Sequence, residues 1–148
     1  MRSHRYFHEK NRERLGAVEG GVDMMVTMCG EEYNGSIQES ALRAVVSLTY
    51  EDKVAQRLGK EGLIRVLVKR CETGAGFIQK YAAMALLNLS VHDILKISIL
   101  NEGGIPPLIH LLGKDNPSTT RAEAAGALEA LCDQQPETQK IVAEGGAI

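Results

Sequence analysis

The sequence predicts an all-α fold, in which stacked three-helix units form a solenoid. The first observation is a Glu-Gly motif that recurs with its glutamates spaced by 42, 41 and 42 residues, at Glu19, Glu61, Glu102 and Glu144. The second is that apolar residues recur in register in two predicted helices of each unit. Self-similarity at a fixed period of this length is typical of repeat proteins, whose units contact only their neighbours.

The first unit sets the order of elements. A polar, charged helix runs from Tyr6 to about Val18 and ends at a glycine turn. The segment 22–29 follows as a short helix, with apolar residues at the i, i+3, i+4 and i+7 positions. Ser36 and Glu39 have the spacing of a capping box, which predicts the start of a long helix running to about Tyr50.

The same order returns in the next two units. The second unit has a short helix from Asp52, a middle helix after Gly62 and a long helix over 77–89. In the third unit, Pro106 delays the middle helix by one residue, and Asn116 is the predicted cap of the long helix.

The predicted buried faces repeat at displacements of 41 or 42 residues. In the long helices they are Ala41, Ala44, Val45, Leu48; Ala82, Ala85, Leu86, Leu89; and Ala124, Ala127, Leu128, Leu131. In the middle helices they are Val22, Met25, Val26, Cys29; Ile64, Leu67, Val68, Cys71; and Ile105, Leu108, Ile109, Leu112.

Composition and charge divide the chain into two predicted parts. Residues 1–14 form a basic N-terminal segment, and residues 15–148 form the repeat array, with units at about 15–51, 52–91, 92–133 and a partial unit at 134–148. The net charge of −2 argues against nucleic acid as the partner. Three widely spaced cysteines predict a reducing compartment, the cytoplasm and/or the nucleus, and no apolar run predicts membrane insertion.

The sequence contains no constellation typical of an active site, so we expect no enzyme activity and no cofactor. The glycine turns do not fit the GxxxxGK[ST] pattern of a phosphate-binding loop. His4 and His8 have the spacing of a shared helix face, but no nearby carboxylate or cysteine completes a metal site. Cys29 and Cys71 occupy a slot that Leu112 fills in the third unit, which predicts apolar packing for both thiols.

Two segments resemble the armadillo repeat family, whose units have a short helix, a glycine turn, a second helix and a long third helix. They are NEGGIPPLI at 101–109 and AAMALLNL at 82–89, and the resemblance extends from about Leu15 to Ile148. It implies a right-handed superhelix acting as a non-enzymatic protein–protein interaction scaffold. The partner, a protein or an extended peptide, would bind on the concave surface of the third helices.

The resemblance also implies binding residues. In peptide-binding members a Trp and an Asn four residues apart recur along the groove. The Trp slot here holds Arg43, Met84 and Gly126, and the Asn slot holds Ser47, Asn88 and Ala130. Only Asn88 matches, and it would clamp a peptide backbone unless it bonds within its own groove. The predicted protein-binding residues are Glu39, Arg43, Ser47, Lys80, Met84 and Asn88.

Two other roles stay open. The chain is alternatively a structural or oligomerising fragment of a longer array, pairing with further armadillo repeats or with itself. This follows because the fourth unit stops at Ile148, before its second and third helices. It is otherwise a regulatory region of a larger enzyme.

Overall fold

The computed structural model of the chain describes residues 2–18, 20–60 and 62–133. All regular structure in these ranges is helical, which confirms the predicted all-α fold. The helices are α1 (Arg2–Ala17), α2 (Gly21–Met28), α3 (Gly35–Leu48), α4 (Asp52–Lys60), α5 (Leu63–Thr73), α6 (Phe77–Leu89), α7 (Asp93–Asn101), α8 (Ile105–His110) and α9 (Ser118–Cys132). None of the helices in this part of the chain combines the length and apolarity needed to cross a bilayer.

The long helices form the centre of the stack. Helix α6 packs against α3 on one side and α9 on the other, and α5 lies beneath it. Helix α1 runs through residue 15, where the sequence predicted the start of the array, and it packs on α2, α3 and α4. The predicted partial fourth unit and the side chains of residues 1–8 lie outside the described residues.

The glycine turns adopt the backbone geometry that their sequence predicts. Gly20, Gly62 and Gly103 have φ values of 76°, 84° and 74°, where a residue with a Cβ would be strained by about 1–2 kcal/mol. Gly104 is needed for a different reason, because a Cβ there would lie 2.6 Å from the Cγ2 atom of Ile99. The Gly103–Gly104 pair therefore combines a left-handed turn with a close approach between α7 and α8.

The core is aliphatic, and most predicted core positions are buried. Of the twelve long-helix positions, Ala44 alone is half-buried and the rest are buried. In the middle helices, Met25, Ile109 and Leu112 are half-buried, and Leu111 is fully buried. Leu112 packs against the core but is only half-buried, because α8 ends at His110 and the following turn rotates Leu111 into the core.

Three predicted helix starts are corrected by the structure. Helix α3 begins at Gly35, and the side chain of Asn34 caps it by accepting a hydrogen bond from the Ile37 amide at 3.0 Å. The predicted capping box at Ser36 and Glu39 is therefore wrong. Helix α8 includes Ile105 despite the following proline, whose missing N–H is not needed in a first helical turn.

The third correction concerns α9. Helix α9 begins at Ser118, and Pro117 occupies the cap position without a side-chain hydrogen bond. Asn116 is not the cap, because its side-chain amide donates to the carbonyl oxygen of His110 at 3.4 Å.

The first helices of the second and third units are related residue by residue. A shift of 41 residues superimposes α4 on α7, and the buried positions of the two helices coincide. The exposed positions differ, since Lys53 and Gln56 in α4 correspond to Ile94 and Ile97 in α7, which are 77% and 50% exposed. The repeat packing therefore accepts polar residues at these two positions.

Candidate functional site

The accessible face of the third helices carries the six predicted binding residues. On α3, Arg43 and Ser47 are exposed and Glu39 is half-buried. On α6, Lys80, Met84 and Asn88 are all half-buried. The residues of each helix are four apart, so they form one row along it. Helix α9 has small residues in the equivalent row, namely Ala122, Gly126 and Ala130.

Asn88 connects the second unit to the first. Its side-chain amide donates a hydrogen bond to the Thr49 hydroxyl at 3.0 Å, and Thr49 donates in turn to the carbonyl oxygen of Val46 at 2.6 Å. Asn88 therefore forms a hydrogen bond within the protein, which was the alternative to peptide binding that the sequence left open. An Asn side chain has two N–H groups and a carbonyl oxygen, so one N–H and the oxygen remain for a ligand.

Lys80, Phe77 and Tyr81 form a cluster of one cation and two aromatic rings. The Lys80 ammonium group lies 5.9 Å from the ring centroid of Phe77 and 5.5 Å from that of Tyr81, within the range of cation–π attraction. The two ring centroids are 6.3 Å apart, and Phe77 is 60% exposed. The two rings are not among the binding residues predicted from the sequence, although the i, i+3, i+4 spacing of the three residues places them on one side of the helix.

A groove of about 570 Å³ lies between α6 and α9. It is lined by Leu87, Gly126, Glu129, Ala130, Cys132 and Asp133. A Cβ on Gly126 would lie 3.2 Å from the Cδ2 atom of Leu87, so glycine allows the two helices to pack closely here. The groove therefore has an apolar floor and two exposed carboxylates at its edge.

Arg70 fixes the position of α3 relative to the second unit. Its side chain is only 5% exposed, and it donates hydrogen bonds to Gln38 Oε1 and Glu31 Oε2, both at 3.2 Å. Gln38 donates in turn to the carbonyl oxygen of Tyr33. This network joins α5 to α3 and to the segment that connects α2 with α3.

The two equivalent cysteines are packing residues, as their sequence slot predicts. Burial raises the pKa of the Cys29 thiol from 9.0 to about 12, although the nearby Arg70 charge lowers it in part. Burial also raises the pKa of Cys71 from 9.0 to about 12, and the Glu72 carboxylate adds to that increase. Both thiols therefore stay protonated at neutral pH and are poor nucleophiles.

These raised pKa values predict a pH-dependent contribution to stability. The folded state holds the two protons more tightly than the unfolded chain, so the contribution is complete below pH 9 and is lost as the pH rises towards 12. Between pH 8 and pH 10 the expected loss is about 1.4 kcal/mol per thiol. Urea unfolding of the wild type and of a Cys29→Ala, Cys71→Ala variant measures it. The difference in free energy of unfolding between the two proteins should narrow from pH 8 to pH 10. A constant difference would contradict the raised pKa values of the two thiols.

Within residues 2–18, 20–60 and 62–133, no group of three or more His, Cys, Asp or Glu side chains is arranged to hold a metal ion. The accessible features of the third-helix face are instead side chains suited to hydrogen bonding, charge pairing and apolar contact. Stacked three-helix units with such a face define an α-solenoid repeat protein.

The family follows from the third unit. Residues 93–133 match the family model of the Armadillo/beta-catenin-like repeat, and the preceding units have the same helix order and glycine turns. Residues 93–133 are therefore an armadillo repeat, and the described residues have the armadillo-repeat fold.

Two plant proteins are similar in sequence. U-box domain-containing protein 8 of Arabidopsis thaliana is 31% identical over 134 residues, covering 90% of this chain and 34% of that protein. Protein CELLULOSE SYNTHASE INTERACTIVE 3, also from Arabidopsis thaliana, is 42% identical over 65 residues, covering 44% of this chain and 3% of that protein. The chain thus spans about a third of the first relative and a small part of the second.

Solved structures share the fold. A crystal structure of an engineered protein has a TM-score of 0.80 at 28% identity, covering 86% of this chain and 52% of that chain. A designed armadillo repeat protein in complex with the peptide (KR)4 has a TM-score of 0.79 at 21% identity, covering 86% of this chain and 54% of that chain. The second similarity concerns the fold alone.

Proposed function

We propose that the chain is a non-enzymatic scaffold that binds a partner segment or domain on the concave surface of α3, α6 and α9. The observation that carries this proposal is the row of accessible polar side chains on α3 and α6. These helices are held side by side by a buried core. A preformed surface loses little conformational entropy when it binds, which favours affinity.

Asn88 supports an extended peptide as the ligand. An extended backbone presents N–H and C=O groups at regular intervals, and Asn88 retains one N–H and its carbonyl oxygen to pair with them. Its hydrogen bond to Thr49 orients the amide before a ligand arrives. Complex formation between a designed armadillo repeat protein and (KR)4 gives a precedent for a peptide partner on this fold.

An array of extended peptides probed with the wild type and an Asn88→Ala variant tests the proposal. We expect the substitution to weaken binding about fivefold, because a hydrogen bond contributes on the order of 1 kcal/mol. Asn101→Ala, on an exposed position at the end of α7, is the matched control and should bind as the wild type does. Equal binding by the wild type and Asn88→Ala would contradict the clamp.

A second candidate role is that of an interaction region within a larger protein. The alignment with 34% of U-box domain-containing protein 8 supports it, and any catalytic activity would then belong to other residues. Light scattering separates this role from self-association, because a simple binding region stays monomeric as its concentration rises.

We also propose that the chain acts in the cytoplasm or nucleus. Cys29 and Cys71 support this proposal, because neither forms a disulfide.

A further inference from the structure

Charges on the third-helix face are separated between its two ends. Arg43 on α3 and Lys80 on α6 are accessible cations, and Glu39 lies one turn from Arg43. The α9 end carries the accessible carboxylates of Glu129 and Asp133 at the edge of its groove. Its other accessible charges are Glu123 and Arg121, near the start of α9. The α3–α6 end is therefore net positive, and the α9 end is net negative.

Neither cation has a carboxylate partner in the part of the chain that the structure describes. Among the described residues, no carboxylate lies within 4.0 Å of either Arg43 or Lys80. Lys80 instead lies near the rings of Phe77 and Tyr81, which leaves its charge uncompensated. A carboxylate supplied by a partner would complete this cluster, and the exposed Phe77 ring would contact the adjacent side chain of that partner.

The opposite end suits a basic side chain. Leu87 and Ala130 form an apolar floor along which the methylene groups of a lysine or arginine can lie. The charged head group then reaches Glu129 and Asp133, which are exposed beside that floor.

We propose that the partner is a bipolar extended segment, with an acidic residue at Arg43 and Lys80 and a basic residue at Glu129 and Asp133. Packed helices lie about 8–10 Å apart, and an extended chain advances about 3.3 Å per residue. Arg43 on α3 is two such spacings from α9, and Lys80 on α6 is one. The two charged residues are therefore about three to six residues apart in the partner. This inference rests on the proposed function, since it names the partner chemistry of the same surface.

Four labelled peptides of equal length test the charge preference by fluorescence anisotropy. Two carry an acidic and a basic block in the two possible orders, separated by an Ala-Leu spacer. The others are (KR)4, taken from the designed complex, and an all-acidic counterpart. We expect one bipolar order to bind at least about tenfold more tightly than either single-sign peptide, and more weakly as salt increases.

Charge-reversal variants test which end of the third-helix face binds the acidic residue and which binds the basic residue. Arg43→Glu with Lys80→Glu should shift the preference towards (KR)4, and Glu129→Lys with Asp133→Lys should shift it towards the acidic peptide. Lys53→Glu, on an exposed position of α4, is the control and should leave the preference unchanged. Circular dichroism establishes that each variant is folded.

The outcomes separate this inference from the proposed function. If (KR)4 binds as tightly as the bipolar peptides, or if the reversals leave the preference unchanged, the bipolar assignment is wrong. Binding of (KR)4 that Asn88→Ala still weakens would retain the groove and overturn only the charge assignment. Failure of all four peptides to bind also overturns the bipolar assignment, and the peptide array then decides whether the groove binds anything.

Discussion

Leu86→Ala is expected to lower the free energy of unfolding by about 2–5 kcal/mol, the range for a leucine truncated in a packed core. Leu86 is fully buried in α6, which packs against α3, α5 and α9. The cavity would therefore weaken contacts to both neighbouring units, and nearest-neighbour contacts provide the stability of a repeat array. Urea unfolding monitored by circular dichroism measures the loss.

The matched control uses the residues that the preceding unit has at equivalent positions. Ile94→Lys and Ile97→Gln reproduce Lys53 and Gln56 of α4, and both isoleucines are largely exposed. Each should change stability by no more than about 0.5 kcal/mol. If this pair costs as much as Leu86→Ala, the assignment of buried and exposed faces is wrong.

Arg70→Ala is expected to cost about 2–4 kcal/mol, because it removes two hydrogen bonds of a charged group and leaves Gln38 without its buried donor. Arg70→Met retains the apolar stem and should recover part of this loss. Since the Glu31 side chain is 67% exposed, Glu31→Gln should cost less than about 1 kcal/mol.

Thermal unfolding of the three variants, together with the Arg70→Ala, Glu31→Gln double variant, separates the two bonds. We expect the Gln38 bond to account for most of the loss, because it lies in the buried part of the network. A Glu31→Gln variant as unstable as Arg70→Ala would show that the exposed ion pair dominates, contrary to the structure.

Much of the fold was predictable because the repeat fixes the register of three units at once. The Glu-Gly spacing located the turns, and the 41- or 42-residue displacement located core residues such as Ala85 and Leu131. Helix starts were less predictable, because Asn34 and Ser36 are both good caps and backbone geometry decides between them. Leu42 and Ala83 were missed as core residues because α3 and α6 bury more than one face.

The candidate site was predictable only where the family pattern applies. The rows on α3 and α6 follow from helical spacing. In the structure their residues are exposed or half-buried, and their contacts with a partner stay predictions. The Arg70–Gln38 bond joins residues 32 apart on different helices, a pairing that periodicity does not encode. The charge separation along the face likewise depends on how three units are juxtaposed.

Amide chemical-shift mapping of a bound peptide tests most directly whether the third-helix face is the binding surface. Titration with the tightest peptide from the array should shift resonances in α3, α6 and α9, with the largest changes near Met84 and Asn88. Shifts concentrated instead in α4 and α7, around the exposed Ile94 and Ile97, would place the ligand on the first helices and contradict binding on the third-helix face.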